Sequence, residues 1–290
     1  MKKLFGLMLG LVFSMAIFSG CSSSNQSATS TYGESAEIKA AVLGSAEQFE
    51  TREDFFIGMD LAISELKENG INFSYEKLDD GKSRDSGVAM AKDVANSDKY
   101  TLAFTLQNDE TVESVADIFD NAKKPLIIVN EVFDSTMNKG YEYVLAGVVS
   151  AETAGKALAN FCETNGIKWV AASHSSTQYE NMLARGFNDM AMTNKSIYLA
   201  DSTSGPYRIS EFSGVWDRWD TLGVQAVLVS FDDVEWACEL INAIKSQNKD
   251  MVILGDAKFN DLEMMNKYKD SLEGMIVAGS YGVASDEKLQ

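Results

Sequence analysis

The chain has 290 residues, of which 45% are apolar, and it carries a formal net charge of −18. This apolar share is typical of a globular protein with a substantial core, and the length suits one large domain or two smaller ones. The acidity argues against binding to nucleic acid, which needs a basic face, and against electrostatic attachment to anionic lipid.

The N-terminus has the pattern of a secretory leader. Lys2 and Lys3 form a short positive region, and the run 4–18 contains no charged residue. Such a run is shorter than the ~20 apolar residues that a bilayer span needs, and it fits the apolar core of a signal peptide. We therefore predict a signal peptide over residues 1–20.

A cysteine, Cys21, follows the small residues Ser19 and Gly20. This arrangement resembles the lipobox of bacterial lipoproteins, which implies that the leader is cut before Cys21 and that its thiol carries a diacylglycerol. Two or more acyl chains hold a protein stably at a membrane, whereas a single chain binds only marginally. An ordinary cleaved signal with an incidental cysteine is the alternative. The predicted location is extracytoplasmic, with a lipid anchor in a bacterial membrane.

Residues 21–37 are predicted to form a flexible tether, because a polar run of small side chains cannot bury enough surface to order itself. Beyond the tether the chain has two cysteines, Cys162 and Cys238, which are too few for a disulfide framework. Each lies among apolar residues of a predicted helix, which favours buried free thiols. A single bridge between them is the alternative.

Strands and helices alternate through the rest of the chain. Short apolar runs predict buried strands, and apolar residues at helical spacing predict the helices between them. The first series has strands at 38–43, 73–78, 101–104, 126–129 and 143–147, with helices at 53–67, 86–96 and 112–122. The second series has helices at 151–165, 179–192, 210–222, 234–246 and 261–268, with strands at 169–173, 196–200, 226–230, 251–255 and 274–278.

This alternation predicts an α/β fold of two Rossmann-like lobes, each with a parallel sheet flanked by helices and joined by right-handed crossovers. The predicted boundaries are residues 38–147 for the first lobe and residues 148–273 for the second. Residues 274–290 are predicted to be a return segment to the first lobe.

Sequence motifs for catalysis are incomplete. Gly81-Lys82-Ser83 is similar to the end of a phosphate-binding loop, but Glu76 stands where that motif needs glycine. His174 is the one histidine of the chain, and a histidine beside serines is not a catalytic triad. The acid pairs Asp79-Asp80 and Asp232-Asp233 are more typical of caps and solvated loops than of acid/base catalysis. We expect no enzyme activity, no cofactor and no metal.

The geometry of a parallel sheet predicts where a ligand would bind. Ligands lie outside the carboxyl ends of the strands, and helix N-termini there offer N–H groups to an anionic ligand group. The strand-end segments are rich in amides, hydroxyls, carboxylates and aromatic rings, and they are 45–49, 107–111, 130–133, 174–179, 231–233 and 256–259.

The sequence resembles type I periplasmic solute-binding proteins, specifically the branched-chain amino-acid (Leu/Ile/Val) binding group of ABC importers. The first long helix follows that group's Gly-x-x-Leu-Ala-x-x-Glu-Leu pattern from Gly58 to Leu66. Further matches are Asn69-Gly70, Ala116-Asp117-Ile118-Phe119, Lys124-Pro125, Gly186-Phe187 and Ile253-Leu254-Gly255-Asp256. The resemblance extends from Ile38 to about Ala284, and family members continue for several further elements. The resemblance therefore implies either a fragment or a shortened variant, and we expect the first lobe to be incomplete at its C-terminal end.

The resemblance implies a set of ligand-binding residues. In that family, groups after the third and fourth strands hold the ligand carboxylate, a tyrosine opens the second helix of the second lobe, and an acid pairs with the ligand ammonium. Asp256 matches that acid, and Glu131 replaces a small residue, which indicates a more polar or cationic ligand. The predicted ligand-binding residues, with a strand-end acid included, are Gln107, Asn108, Thr111, Asn130, Glu131, Tyr179, Phe231, Asp232 and Asp256.

The predicted function is that of a lipid-anchored solute-binding protein that captures a small polar ligand, an amino acid being one candidate, between two lobes. The expected partners are the ligand, an ABC permease and, through Cys21, the membrane. One alternative is a ligand-sensing receptor module that is coupled to a signalling partner. Another is an enzyme on a similar sheet, such as a sugar transferase, which would need an acid pair that holds a metal.

Overall fold

A computed structural model describes residues 37–107, 109–204, 208–260 and 262–279. These residues form two parallel sheets of five strands each, flanked by helices. The predicted signal peptide, Cys21 and nearly all of the predicted tether lie outside the described residues. None of the helices in the described ranges combines the length and the hydropathy that a bilayer span needs.

The first sheet has the strand order β2-β1-β3-β4-β5, and every neighbouring pair is parallel. Its strands are β1 (Glu37–Gly44), β2 (Asn72–Asp79), β3 (Leu102–Thr105), β4 (Leu126–Ile128) and β5 (Val144–Ala146). Its helices are α1 (Ala46–Thr51), α2 (Glu53–Glu68), α3 (Arg84–Ala95), α4 (Asp109–Asn121) and α5 (Asp134–Met137). Ala40 to Leu43 of β1 are fully buried, as expected for a strand covered on both faces.

The second sheet repeats this order as β7 and β6 followed by β8, β9 and β10, again with every pair parallel. Its strands are β6 (Trp169–His174), β7 (Tyr198–Ser204), β8 (Ala226–Ser230), β9 (Val252–Gly255) and β10 (Ile276–Val277). Its helices are α6 (Ala151–Thr164), α7 (Gln178–Asn194), α8 (Phe212–Leu222), α9 (Val234–Gln247), α10 (Leu262–Lys267) and α11 (Lys269–Leu272), and 3₁₀ turns occur at Ile209–Glu211 and Ala257–Asn260.

The strand predicted at 274–278 is shorter in the structure and pairs with β9 in the second sheet. Ile276 packs against one core of that sheet and Val277 against the other, so the pair continues the second sheet by burying alternate side chains on its two faces. Within the predicted return segment, Ile276 and Val277 belong to the second sheet, and residues 280–290 lie outside the described ranges.

Helix α1 was not predicted, although its sequence signal is present. Ser45 and Gln48 form a capping box, in which each side chain accepts a hydrogen bond from the backbone N–H of the other. A Ser-x-x-Gln spacing is the sequence signature of such a box. The helix ends at Thr51 and its C-cap is Arg52, which thereby lies at the corner between α1 and α2.

The two cysteines are free and buried. Cys162 lies in the core on one face of the second sheet and Cys238 in the core on the other face, so the sheet separates them and no bridge forms. Burial raises the pKa of the Cys162 thiol to about 12 and that of the Cys238 thiol to about 11. Both are therefore inert thiols of the core at neutral pH.

Candidate functional site

A cleft of about 470 Å³ lies between the two sheets, and residues that follow strands of both sheets line it. This volume is in the range of cavities that bind small organic molecules. The first sheet and its helices contribute Arg52, Asp54, Val129, Asn130, Glu131, Val148 and Val149. The second contributes Ala154, Tyr179, Ala257, Lys258, Asn260, Ala278 and Gly279.

The wall on the side of the first sheet is built around Arg52. Its Nη1 donates a hydrogen bond to Oδ1 of Asn130 over 3.3 Å, and its Nε lies 3.6 Å from Oδ1 of Asp54. Asn130 follows β4, so the contact joins the α1–α2 corner to a strand end. A third of the Arg52 side chain remains exposed, and this wall therefore consists of side chains that solvent reaches.

The wall on the side of the second sheet is built around Lys258, in the 3₁₀ turn after β9. The Lys258 ammonium donates hydrogen bonds to Oε1 of Glu180 and, over 3.0 Å, to Oδ1 of Asp232. It also lies 5.1 Å from the ring centroid of Tyr179, within the range of a cation–π contact. Two segments, which follow β6 and β8, therefore converge on the ammonium group that a third segment, after β9, presents.

Asp256 fixes the turn that presents Lys258. The Asp256 side chain is fully buried; its Oδ1 accepts a hydrogen bond of 2.9 Å from the backbone N–H of Lys258, and its Oδ2 accepts one from the Ser230 hydroxyl. Burial raises the pKa of Asp256. Both carboxylate oxygens are thus engaged within the protein, and the residue supports the wall from beneath.

Burial and the charge of Lys258 shift the pKa values of Glu180 and Asp232 in opposite directions. Burial raises the pKa of Glu180 although Lys258 opposes the shift. Burial would also raise the pKa of Asp232, but the hydrogen bond and charge of Lys258 outweigh it and hold that pKa below its ordinary value. For Lys258, burial alone would lower the pKa, and the neighbouring carboxylates raise it above the ordinary value. Lys258 is therefore a cation at neutral pH.

A second cavity, of about 330 Å³, lies at the carboxyl ends of β1, β2 and β3 in the first sheet. Gln107 and Thr111 line it. Nε2 of Gln107 donates to Oδ2 of Asp80 over 2.9 Å, and its Oε1 accepts from the Thr105 hydroxyl over 3.2 Å. This location is the switch point of the strand order, where ligands bind in open parallel sheets.

The structure separates the predicted ligand-binding residues into groups. Asn130, Glu131 and Tyr179 lie together in the inter-sheet cleft, whereas Gln107 and Thr111 line the second cavity. Asn108 lies outside the described residues.

The remaining three predicted residues belong to the second sheet and do not line the cleft. Asp232 contacts the cleft only through Lys258, and Asp256 is buried beneath that lysine. Phe231 is 4% exposed and packs edge-on against Trp236, with ring centroids 4.6 Å apart. An apolar ring at this strand end gains more from burial in that core than from exposure to solvent in the cleft.

Sequence reasoning missed Arg52, Lys258 and Glu180. Lys258 lies in the strand-end segment 256–259, two residues after the predicted site residue Asp256. Glu180 directly follows Tyr179 and has a fully buried side chain, which no local pattern indicates. Arg52 was overlooked because helix α1 was not predicted.

The residues considered for catalysis have structural partners. Nδ1 of His174 lies 2.7 Å from the backbone oxygen of Ser175, and Nε2 lies 3.3 Å from the Ser202 hydroxyl. Asp79 and Asp80 accept hydrogen bonds from backbone N–H groups of the following turn. Asp233 caps α9. Among the described residues, no group of three or more histidines, cysteines or acids is placed to hold a metal ion.

No protein-family model matches the sequence, and a comparison with curated protein sequences finds no match. Solved structures, by contrast, match over most of the chain. A protein from Rhodospirillum rubrum, described as a branched-chain amino acid ABC transporter, has a TM-score of 0.70 at 12% identity, covering 88% of this chain and 74% of that one.

Two other structures are similar and were solved with ligands. An ABC transporter substrate-binding protein from Desulfitobacterium hafniense in complex with Leu has a TM-score of 0.64 at 20% identity, covering 78% of this chain and 68% of that one. A solute-binding protein of an ABC transporter from R. palustris in complex with 4-hydroxybenzoate has a TM-score of 0.62 at 16% identity, covering 81% and 66%. Together with the repeated strand order, these similarities show that the chain has the fold of type I periplasmic binding proteins.

Proposed function

We propose that this protein is an extracytoplasmic solute-binding protein, which captures a small polar organic molecule in the inter-sheet cleft and delivers it to an ABC permease. The observation that carries the proposal is the cleft of about 470 Å³ lined from both sheets. A ligand in that position contacts both lobes at once. It therefore favours a closed arrangement of the lobes in proportion to the extra contacts made there.

The charged and amide side chains among the lining residues support a ligand with charged or hydrogen-bonding groups. Arg52 and Lys258 provide cationic donors on opposite walls, and Asn130 and Glu131 provide acceptors on the wall of the first sheet. Charge-assisted hydrogen bonds are the strongest that such a cleft can offer. Similar structures hold an amino acid, Leu, and an acid without an amine, 4-hydroxybenzoate, and both classes belong in a first screen.

The lipid anchor at Cys21 is part of the proposal and has its own test. Replacing the thiol, as in Cys21→Ser, removes the only atom to which the diacylglycerol could be attached at this position. We expect the wild-type chain to fractionate with membranes and to incorporate labelled fatty acid, and the variant to do neither. Incorporation of label by the variant would contradict lipidation at Cys21.

A thermal-shift screen tests the capture of a solute. The full chain in detergent is heated with amino acids, aromatic acids, sugars, polyamines and nucleosides. A ligand at one hundred times its Kd adds about 2.7 kcal/mol to the free energy of unfolding, which raises Tm by several degrees. Tm rises because the ligand binds the folded state and not the unfolded state.

A matched pair of variants places the binding in the cleft. Val149 lines the cleft and is 38% exposed, whereas Leu145 is 60% exposed and does not line it. Val149→Trp fills the cleft and is expected to abolish the ligand-induced shift, and Leu145→Trp is expected to preserve it. A chain stabilised by none of the compounds, or a shift that survives Val149→Trp, would overturn the proposal.

A further inference from the structure

The group around Lys258 has the composition of a binding site for an amine. Two carboxylates, those of Glu180 and Asp232, and the ring of Tyr179 surround one ammonium. Acids combined with an aromatic face are the usual surroundings of a bound organic cation. Here the cation is the protein's own side chain.

Lys258 is built into this position. Its backbone N–H is held by the fully buried Asp256, and its side chain is only 26% exposed. Glu180 is fully buried, and the lysine ammonium compensates its carboxylate. A lysine held at both its backbone and its ammonium loses little further freedom when a ligand binds beside it.

The buried Glu180 carboxylate has one oxygen that can accept a further hydrogen bond. Oε2 of Glu180 has no hydrogen-bond partner among the described residues, although a carboxylate accepts hydrogen bonds at both oxygens. The wall would therefore accept a ligand ammonium if Lys258 were absent. With Lys258 present, a second ammonium at this point meets the charge of the first beside a fully buried carboxylate, where like charges repel more strongly than they do in water.

The same lysine suits a ligand carboxylate. Its ammonium has three N–H donors, of which the contacts with Glu180 and Asp232 use two. Arg52 faces the same cavity from the opposite wall, and its guanidinium has donors beyond the Nη1 and Nε atoms that contact Asn130 and Asp54. Glu131 lines the cavity as well, and its carboxylate disfavours a second negative charge on the ligand.

We propose that the cleft selects a small monocarboxylic acid without an amino group, and that Lys258 excludes amino acids by occupying the position of their ammonium. The ligand carboxylate accepts hydrogen bonds from Lys258 and Arg52. This inference rests on the proposed function of solute capture in the cleft, and it assigns the class of solute. It differs from the sequence-based expectation that Asp256 pairs with a ligand amine.

Pairs of ligands that differ only in the α-amino group test the inference by titration calorimetry on the full chain. The pairs are 4-methylpentanoate with L-leucine and 3-phenylpropanoate with L-phenylalanine, and benzoate and 4-hydroxybenzoate extend the series of acids. We expect at least one acid to bind, and each paired acid that binds to do so at least tenfold more tightly than its amino acid. An amino acid that binds as tightly as its paired acid, or more tightly, overturns the inference.

Variants of Lys258 provide the second arm. Lys258→Met is expected to weaken binding of the acid at least tenfold and to strengthen binding of the amino acid, because Glu180 and Asp232 are then open to the ligand ammonium. Lys258→Arg retains the charge and is expected to retain the preference for acids. Lys249→Met, at an exposed lysine outside the cleft, is the matched control and is expected to change neither affinity.

The outcomes separate the two proposals. An unchanged preference in Lys258→Met overturns the inference alone, as does capture of a sugar or a polyamine by the wild-type chain. Binding of no solute of any class overturns both the inference and the proposed function. If Lys258→Met does not fold, Lys258→Gln removes the charge while keeping a hydrogen-bond donor, and the same comparison applies to it.

Discussion

The two walls of the cleft are built in different ways. On the side of the first sheet, Arg52 and Asn130 meet through a single hydrogen bond between partly exposed side chains. On the side of the second sheet, Lys258 is held by Glu180, Asp232 and, through its backbone, Asp256. Burial therefore preorganises the second wall, whereas the first wall can adjust to a ligand.

The helices behind the second wall are also packed more closely. A Cβ atom on Gly155 of α6 would lie 2.0 Å from the backbone oxygen of Leu183 in α7, and one on Gly186 would lie 2.1 Å from that of Glu152. These two glycines let the helix backbones approach where any side chain would separate them. Tyr179 and Glu180 start the same helix α7, so its position sets the wall.

The largest effect is expected from Gly155→Ala, which breaks this packing. Overpacking of a tight contact costs about 1–3 kcal/mol and occasionally more, and we expect at least the upper value because backbone atoms are in the way. Gly58→Ala in α2 is the control, since a Cβ there meets nothing within 4 Å; it should stabilise by about 0.5–1 kcal/mol. Urea denaturation measures both, and equal effects would refute the close contact.

The next effect tests the buried support of the second wall. Asp256→Ala leaves the Ser230 hydroxyl and the Lys258 N–H without their acceptor, and unsatisfied buried groups cost about 1–3 kcal/mol. The matched control is Asp250→Ala at an exposed position, where less than about 0.5 kcal/mol is expected. Chemical denaturation compares the two, and a harmless Asp256→Ala would contradict the role assigned to this carboxylate.

A third prediction concerns the contact between α5, which follows β4, and the N-terminal part of α6. Asp134, the first residue of α5, contacts the Ser150 and Thr153 hydroxyls and lies 2.6 Å from the ammonium of Lys156 in α6. Burial would raise its pKa, but Lys156 and the hydroxyls outweigh burial and hold the pKa below 3.8. Its ionised form therefore contributes stability that is present above about pH 4 and is lost as pH falls through the folded pKa.

Asp134→Asn is expected to lower stability by about 1 kcal/mol at pH 7. The difference from the wild type should shrink as the pH falls below about 4, because the wild-type carboxylate is then protonated too. Thermal melts across pH 2–8, with Asp93→Asn at an exposed position as control, provide the measurement. A difference that is constant with pH would exclude an ionic contribution.

The smallest effect on stability is expected at the first wall. Arg52→Ala removes a partly exposed ion pair, which contributes about 0–1 kcal/mol, so Tm should change little. The same variant should weaken binding of a carboxylate ligand, because a donor from the first wall is lost. Calorimetry measures the affinity and melting curves measure the stability. A large loss of stability would mean that this wall is as preorganised as the other.

Much of the architecture was predictable from local patterns. The alternation of apolar runs and helical stripes indicated the strands of both sheets, and β8 at Ala226–Ser230 has the predicted bounds. The predicted strand-end residues include Asn130, Glu131 and Tyr179, and these three line the cleft. These features depend on periodicity along the chain, which is local information.

The remaining features depend on packing between distant segments. Three features depend on contacts with distant residues. They are the pairing of Ile276–Val277 with β9, the packing of Phe231 in the core and the burial of Asp256. Residue spacing along the sequence does not predict these contacts, because the surfaces on which each side chain packs are formed by residues far away in the sequence.

By itself, the sequence determined the α/β class, the order of the elements and the ends of the strands where polar side chains gather, since hydrophobic periodicity sets these locally. Only the tertiary structure decided which of those side chains face each other across the cleft. It placed the Lys258 ammonium on Glu180, 78 residues away along the chain, because the energy of a charge depends on burial and on spatial neighbours, and the folded chain alone defines both.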